Sequence, residues 1–261
     1  MIPPLAELIE EIVGIAREAG EIVLGYYRNP SAARTKTDRS PVTDADEASE
    51  RLILERLAAV APGVPVVSEE AVARGEGPAV GFEDAFFLVD PLDGTREFVA
   101  GRDEFSINIA LIERRRPVLG VLLAPVSGTL YRAAGPGTAA IERGRASPHP
   151  IHVRPPPPAL VAVSSRSHGD QTALAAYLDQ FQIGEHRRLG SAIKFGLIAE
   201  GAADLYARPG PTMEWDTAAG HAILEAAGGN ICTFSGRPLL YAKPEFRNPD
   251  FIAQGGLPSP R

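Results

Sequence analysis

The sequence predicts a two-lobed chain, α+β in its first half and α/β in its second. Three observations carry that expectation. Short apolar runs joined by tight turns crowd residues 86–141, the texture of an antiparallel sheet. The run Pro155-Pro156-Pro157-Pro158 then breaks the composition and can act as a stiff linker. Beyond it, strand and helix patterns alternate, as they do in α/β units. The lobes are accordingly placed at 1–140 and 141–261.

Each element has its own signal. Leu5, Leu8, Ile9, Ile12, Val13 and Ala16 recur at helical spacing, with acids on the opposite face, so residues 4–28 read as an amphipathic helix. A polar loop over 29–41 contains Lys36 and Asp38. Thr43 or Asp44 can cap a second helix over 43–59, with Ala48, Leu52, Leu54 and Leu57 on its apolar face. Residues 64–68 form a short strand that delivers Glu69 and Glu70 into a Gly-rich excursion over 71–84. Phe86-Phe87-Leu88-Val89 is a buried strand ending at Asp90. Strands over 105–112 and 118–124 pair across a basic turn, read as a solvated hairpin tip, and 129–134 and 139–141 continue the pattern. The second half offers strands at 160–164, 185–189 and 204–207. It also offers helices at 171–180, 192–200 and 216–227, the last closed by Gly228-Gly229.

Bulk properties narrow the function classes. A formal charge of -7 argues against a general nucleic-acid binder, which needs a basic face, but permits a small anionic substrate. A single cysteine, Cys232, allows no intramolecular disulfide or zinc cluster and reads as a small buried apolar residue. No apolar run approaches the length of a membrane span, and Glu7, Glu10 and Glu11 stand where a signal peptide is basic. A cytoplasmic protein is expected, as a monomer or homodimer, with peripheral attachment to the inner membrane left open.

The chemistry begins with Asp90-Pro91-Leu92-Asp93-Gly94-Thr95. Proline and glycine set a turn at the end of a buried strand, so two acids three residues apart can point into one small volume. Such a pair is stabilised by a shared proton or a divalent cation, and hard oxygen ligands favour magnesium or a similar ion. Asp46 and Asp216, each at a helix start, and Glu69, after a strand, are further acids. Taken singly, the first two are ordinary caps and the third a solvated loop residue.

Taken together, Val67-Ser68-Glu69-Glu70, the hexapeptide and Glu214-Trp215-Asp216-Thr217-Ala218-Ala219-Gly220-His221 resemble the inositol monophosphatase superfamily of magnesium-dependent, lithium-sensitive phosphomonoesterases. Arg96-Glu97-Phe98 directly after the hexapeptide looks like its 3'(2'),5'-bisphosphate nucleotidase branch, of CysQ type. The resemblance implies a layered α/β/α/β/α sugar-phosphatase fold and two or three magnesium ions. It implies metal ligation by Glu69, Asp90, the Leu92 carbonyl, Asp93 and Asp216, with Asp46 joining Glu69 at a weaker third ion. Glu69 and Thr95, with Asp46, would activate water. Asp93, Gly94, Thr95, His168, Ser191, Lys194, Arg208 and Asp216 would touch a phosphorylated nucleotide. Lys36 resembles a loop residue that closes over the metals. Ala192 departs from the serine found in some relatives, which removes one polar contact. The implied reaction is hydrolysis of the 3'-phosphate of adenosine 3',5'-bisphosphate, and of 3'-phosphoadenylyl sulfate. Inositol phosphate or fructose 1,6-bisphosphate is the alternative substrate, and a catalytically silent binding protein the alternative class.

Overall fold

The computed structural model describes residues 2–29, 34–35 and 41–257, so Lys36 and Asp38 lie outside the described residues. In the first half, helix α1 (Leu5–Arg28) is followed by a small ribbon of β1 (Arg34–Thr35) and β2 (Pro41–Val42), then helix α2 (Asp44–Val60). There follow β3 (Val66–Ser68), short helix α3 (Glu69–Ala73), β4 (Ala85–Asp93), short helix α4 (Thr95–Val99), β5 (Ser106–Glu113) and β6 (Arg116–Ala124). The large sheet is completed by β7 (Thr129–Ala134), β8 (Ala140–Arg143) and β9 (His149–Pro150), and its seven strands, β3 to β9, lie in sequence order. Within this sheet, among the described residues, only β3 and β4 pair in parallel.

Alternation along β4 assigns its two faces. Phe87 and Val89 join a core with α1 and α2, whereas Phe86 and Leu88 face the opposite way toward Trp215, Ala218 and Ala219. Burying such side chains contributes about 1.5–3 kcal/mol each before entropy is charged against it.

The second half runs β10 (Leu160–Ser165), α5 (Gln171–Leu178), β11 (Ile183–Leu189), α6 (Ile193–Ala199), β12 (Leu205–Arg208), β13 (Thr212–Met213) and α7 (Ala218–Ala226). After these come β14 (Asn230–Thr233), a 3-10 turn at Pro244–Phe246, β15 (Arg247–Asn248) and β16 (Phe251–Gln254). Its sheet has the order β11-β10-β12-β16-β14, and β13 pairs with β15 apart from it. Phe195 and Ile198 of α6 and Ile223 and Leu224 of α7 fill a core between Leu122 and Tyr131 of the first sheet and Tyr206 and Phe251 of the second. Tyr177 and Leu178 of α5 cover the outer face at Leu205, Cys232 and Ile252. The layers therefore read α/β/α/β/α, as the resemblance implies. Gly120 lets α7 lie close on the first sheet, since a Cβ there would sit 2.5 Å from the Ala219 carbonyl oxygen.

Several local expectations change. The excursion at 71–84 begins as the last turn of α3, which Ser68 caps. β4 does not stop at Asp90 but runs to Asp93 through an irregularity that accommodates Pro91, which has no N–H to give a ladder. The chain turns at Gly94 (φ +94°), a left-handed conformation that favours glycine. At the basic hairpin, Arg115 is not a solvated tip. Its Nε donates to the Tyr241 carbonyl at 2.9 Å, and its guanidinium stacks on Phe82 at 4.3 Å. Gly228 (φ +90°) closes α7 as expected. Among the described residues no helix is long and apolar enough to cross a membrane.

Candidate active site

Glu69, Asp90 and Asp216 each offer one carboxylate oxygen, and the three oxygens lie within 4.8 Å of one another. Different elements deliver them. Glu69 opens α3, whose start is fastened by Glu50: its buried carboxylate accepts from the Ala71 N–H at 2.9 Å and from the Ser68 hydroxyl, and pairs with Arg74 at 2.8 Å. Asp90 sits inside β4 and accepts from the Leu92 N–H at 3.1 Å. Asp216 stands two residues before α7, ahead of its cap Thr217, and accepts from the Met213 N–H at 2.9 Å. Burial pushes the Asp216 carboxyl well above the ordinary range, and the charges of Asp93 and Glu69 push it further. Oxygen-only donors arranged so closely, with a proton favoured where no cation is bound, fit a hard divalent ion.

Asp93 stands beside this cluster rather than within the three-oxygen group. Burial raises its carboxyl to about 6; the charge of Lys194 opposes the rise and that of Glu69 adds to it. The Ala192 N–H and the Asn108 amide (3.4 Å) donate to it, so Asp93 links the first half of the chain to the second.

Thr95 opens α4, its hydroxyl 3.1 Å from Asp46 Oδ1 and 3.2 Å from the Leu92 carbonyl. Asp46 is a helix cap as well: its other oxygen accepts from the Thr43 N–H and hydroxyl at 2.8 and 2.6 Å in a capping box. The plain reading of Asp46 as a helix cap therefore holds on one oxygen, while the other accepts from Thr95. Asp46 joins neither the three-oxygen cluster nor the cavity lining, so its contact with the site runs through Thr95.

A cavity of about 370 Å³ opens over these residues. Its carboxylate-bearing wall is Glu69, Asp90, Leu92, Asp93, Gly94, Thr95 and Asp216; the facing wall includes His168, Ser191, Lys194 and Arg208. Ser191 adopts φ +47°, a strained conformation for a residue with a Cβ. Lys194 is buried. Its ammonium donates to the carbonyls of Leu189 (3.3 Å), Gly190 (3.1 Å) and Ser191, which braces that strained turn. Burial lowers its pKa to about 8. Arg208 is buried at the end of β12; one nitrogen donates to the Pro211 carbonyl at 3.1 Å, while Nε and Nη1 have no partner among the described residues. His168 stands exposed at the rim.

Sequence reading missed residues that support the site from behind. Ser49 donates to the Pro91 carbonyl at 2.9 Å, and Asn108 approaches Asp93. Their signal was polarity at buried positions: Ser49 on the apolar side of α2, and Ser106 and Asn108 in an otherwise apolar strand. Glu104 also escaped notice, and Glu97 was read only as part of a motif, although both hold loops of the facing wall.

The model of the inositol monophosphatase family matches residues 5–255. A 3'(2'),5'-bisphosphate nucleotidase CysQ of Shigella flexneri is 43% identical over 249 residues, covering 94% of this chain and 98% of the relative. The CysQ of Salmonella typhimurium is 45% identical with the same coverage. Among solved structures, CysQ from Bacteroides thetaiotaomicron superposes with a TM-score of 0.78 at 35% identity, covering 97% of this chain and 98% of that one. The Thermotoga maritima IMPase TM1415, at 24% identity and a TM-score of 0.79, shares the fold over 96% of this chain and 93% of its own. On fold, motifs and identity over nearly its whole length, the chain belongs to the inositol monophosphatase family.

Proposed function

We propose that this chain is a magnesium-dependent, lithium-sensitive 3'(2'),5'-bisphosphate nucleotidase of the cytoplasm. Its reaction is hydrolysis of the 3'-phosphate of adenosine 3',5'-bisphosphate to AMP and phosphate, with 3'-phosphoadenylyl sulfate as a second substrate. The observation that carries the reading is Arg208. A buried guanidinium with two unpartnered nitrogens, across one cavity from a carboxylate cluster, suits a substrate with a second phosphate. An inositol monophosphate offers it hydroxyl oxygens but no second anionic group. The similarity to nucleotidases of the CysQ type supports the same substrate.

Glu69, Asp90, the Leu92 carbonyl, Asp93 and Asp216 would hold the ions. Bound magnesium supplies positive charge to the phosphate and acidifies water beside it. The chain's own residues do the positioning. With Asp46 ionised, the Thr95 hydroxyl donates to it at 3.1 Å, which leaves the Thr95 lone pairs to accept a hydrogen bond from water; as that water gives up its proton to Thr95, the Thr95 proton passes to the Asp46 carboxylate. Glu69, at the mouth of α3, shares that water. The backbone at Gly94 and Thr95 receives the departing phosphate. On the facing wall, Arg208, Ser191 and His168 grip the second phosphate and the ribose, and Lys194 keeps the turn in shape. In this reading lobe 1–140 carries the reacting side and lobe 141–261 the grip, apart from Asp216.

Initial rates on adenosine 3',5'-bisphosphate, inositol 1-phosphate and fructose 1,6-bisphosphate test the choice of substrate. The nucleotide is expected to lead by at least about tenfold in kcat/KM, roughly the effect of one charge-assisted contact. An inositol phosphate hydrolysed tenfold faster than the nucleotide would sink the proposal.

A further inference from the structure

Glu104 lines no part of the cavity, yet it touches both sides of it. Its carbonyl oxygen lies between two glycines. A Cβ on Gly94, at the reacting side, would sit 3.0 Å from that oxygen, and a Cβ on Gly190, in the facing turn, 2.5 Å from it. Its carboxylate accepts from the Gly190 N–H at 2.9 Å and from Arg166 Nε and Nη2 at 3.1 and 2.6 Å. The Arg166 N–H in turn donates to the Leu189 carbonyl at 3.1 Å. One residue thus fastens the loop that leads to His168 and the turn that carries Ser191, and sets both against Gly94. Burial pushes the Glu104 carboxyl up, but the bonds from Arg166 and Gly190 outweigh it and hold the group below its ordinary range.

We infer that Glu104 is a positioning residue for substrate selection: it sets the spacing between the phosphate-receiving turn at Gly94 and the second-phosphate grip at Ser191 and His168. The inference rests on the nucleotidase reading. A half-buried ion pair such as Glu104–Arg166 is worth little as stability, whereas a misplacement of about 1 Å in a site can cost on the order of a hundredfold in rate. Supporting contacts of this kind keep a site in productive geometry. Loosening the brace spoils recognition of a substrate that must reach both walls. A phosphomonoester that reaches only the reacting wall is spared.

The test measures kcat and KM for adenosine 3',5'-bisphosphate and for p-nitrophenyl phosphate, in magnesium, with the parent, Glu104→Ala, Glu104→Gln and Arg166→Met. Thermal midpoints are recorded alongside. Glu104→Ala is expected to raise KM for the bisphosphate at least about tenfold with kcat within about threefold, and to leave both constants for p-nitrophenyl phosphate within about threefold. Glu104→Gln, which keeps an acceptor for the Gly190 N–H, falls between Ala and the parent. Arg166→Met, a substitution at a side chain about one-third exposed, moves KM in the same direction if Glu104→Ala does not fold. Equal losses on both substrates, or no change on either, would overturn the inference. A parent that shows no preference for the bisphosphate sinks the nucleotidase reading instead. The brace is then judged on AMP binding by calorimetry, where Glu104→Ala must weaken Kd about tenfold to keep the inference.

Discussion

Asp93→Asn lowers turnover of adenosine 3',5'-bisphosphate on the order of a thousandfold or more, with fold and cavity retained. The substitution keeps the shape of the side chain and its neighbours Asn108 and Ala192, and removes one negative charge. That charge serves two purposes in this account: it completes the donor set beside Glu69, Asp90 and Asp216, and it ties the reacting wall to the facing turn. Removing one electrostatic stabiliser of a reaction centre commonly costs a factor of 10²–10³, and a group that also orients its neighbours costs more. Single-turnover phosphate release at saturating magnesium measures the loss. A decrease of less than tenfold would remove Asp93 from the reacting centre. A parent with no turnover on any phosphomonoester would point to a catalytically silent protein with this fold.

The same substitution stabilises the metal-free protein at neutral pH. Burial and the neighbouring charge of Glu69 raise the Asp93 carboxyl to about 6 against the pull of Lys194, and Asp216 moves in the same direction. An acid whose folded pKa lies above its unfolded one holds its proton more tightly in the folded state. The resulting stability is fully present below about pH 4, the ordinary carboxylate value, and is lost as pH rises through about 6. Metal-free Asp93→Asn should therefore melt roughly 2–8 °C above the metal-free parent at pH 7.5, with the gap closing near pH 4. Magnesium at about a hundred times its Kd adds about 2.7 kcal/mol to the parent, roughly 5–10 °C, and much less to the variant. Scanning calorimetry with magnesium and with chelator measures both effects. Parent midpoints that coincide in magnesium and in chelator would mean that these acids form no metal site.

Much of this site was legible in the sequence, for identifiable reasons. Asp90, Asp93 and Thr95 share one short segment, and the apolar strand before them announces where they emerge. Glu69 and Asp216 lie far off in the chain; spacing could not show that they converge, and only the ordered motifs joined them. The resemblance also carried the five layers, because alternation along β4 assigns faces but does not say what covers them. The strands after Gly229 went unread. β14 and β16 are four residues each, too short for a period to declare itself, and the pairing of β16 with β12 is a long-range contact. The resemblance offered Lys194 to the substrate, and a helix pattern says nothing of a neighbouring turn. The structure directs its ammonium at three carbonyls. The contacts of Glu104 and Glu97 were invisible for a related reason. They act on backbone and hydroxyl groups about 70–90 residues away, and no motif spans that distance.

The most direct test of the central claim is chromatographic identification of the products from adenosine 3',5'-bisphosphate, run in magnesium, in magnesium with lithium, and in chelator. The account predicts 5'-AMP and one equivalent of phosphate in magnesium, strong suppression by lithium, and no release in chelator. Adenosine 3'-monophosphate as the product, or phosphate release that proceeds equally in chelator, would contradict it.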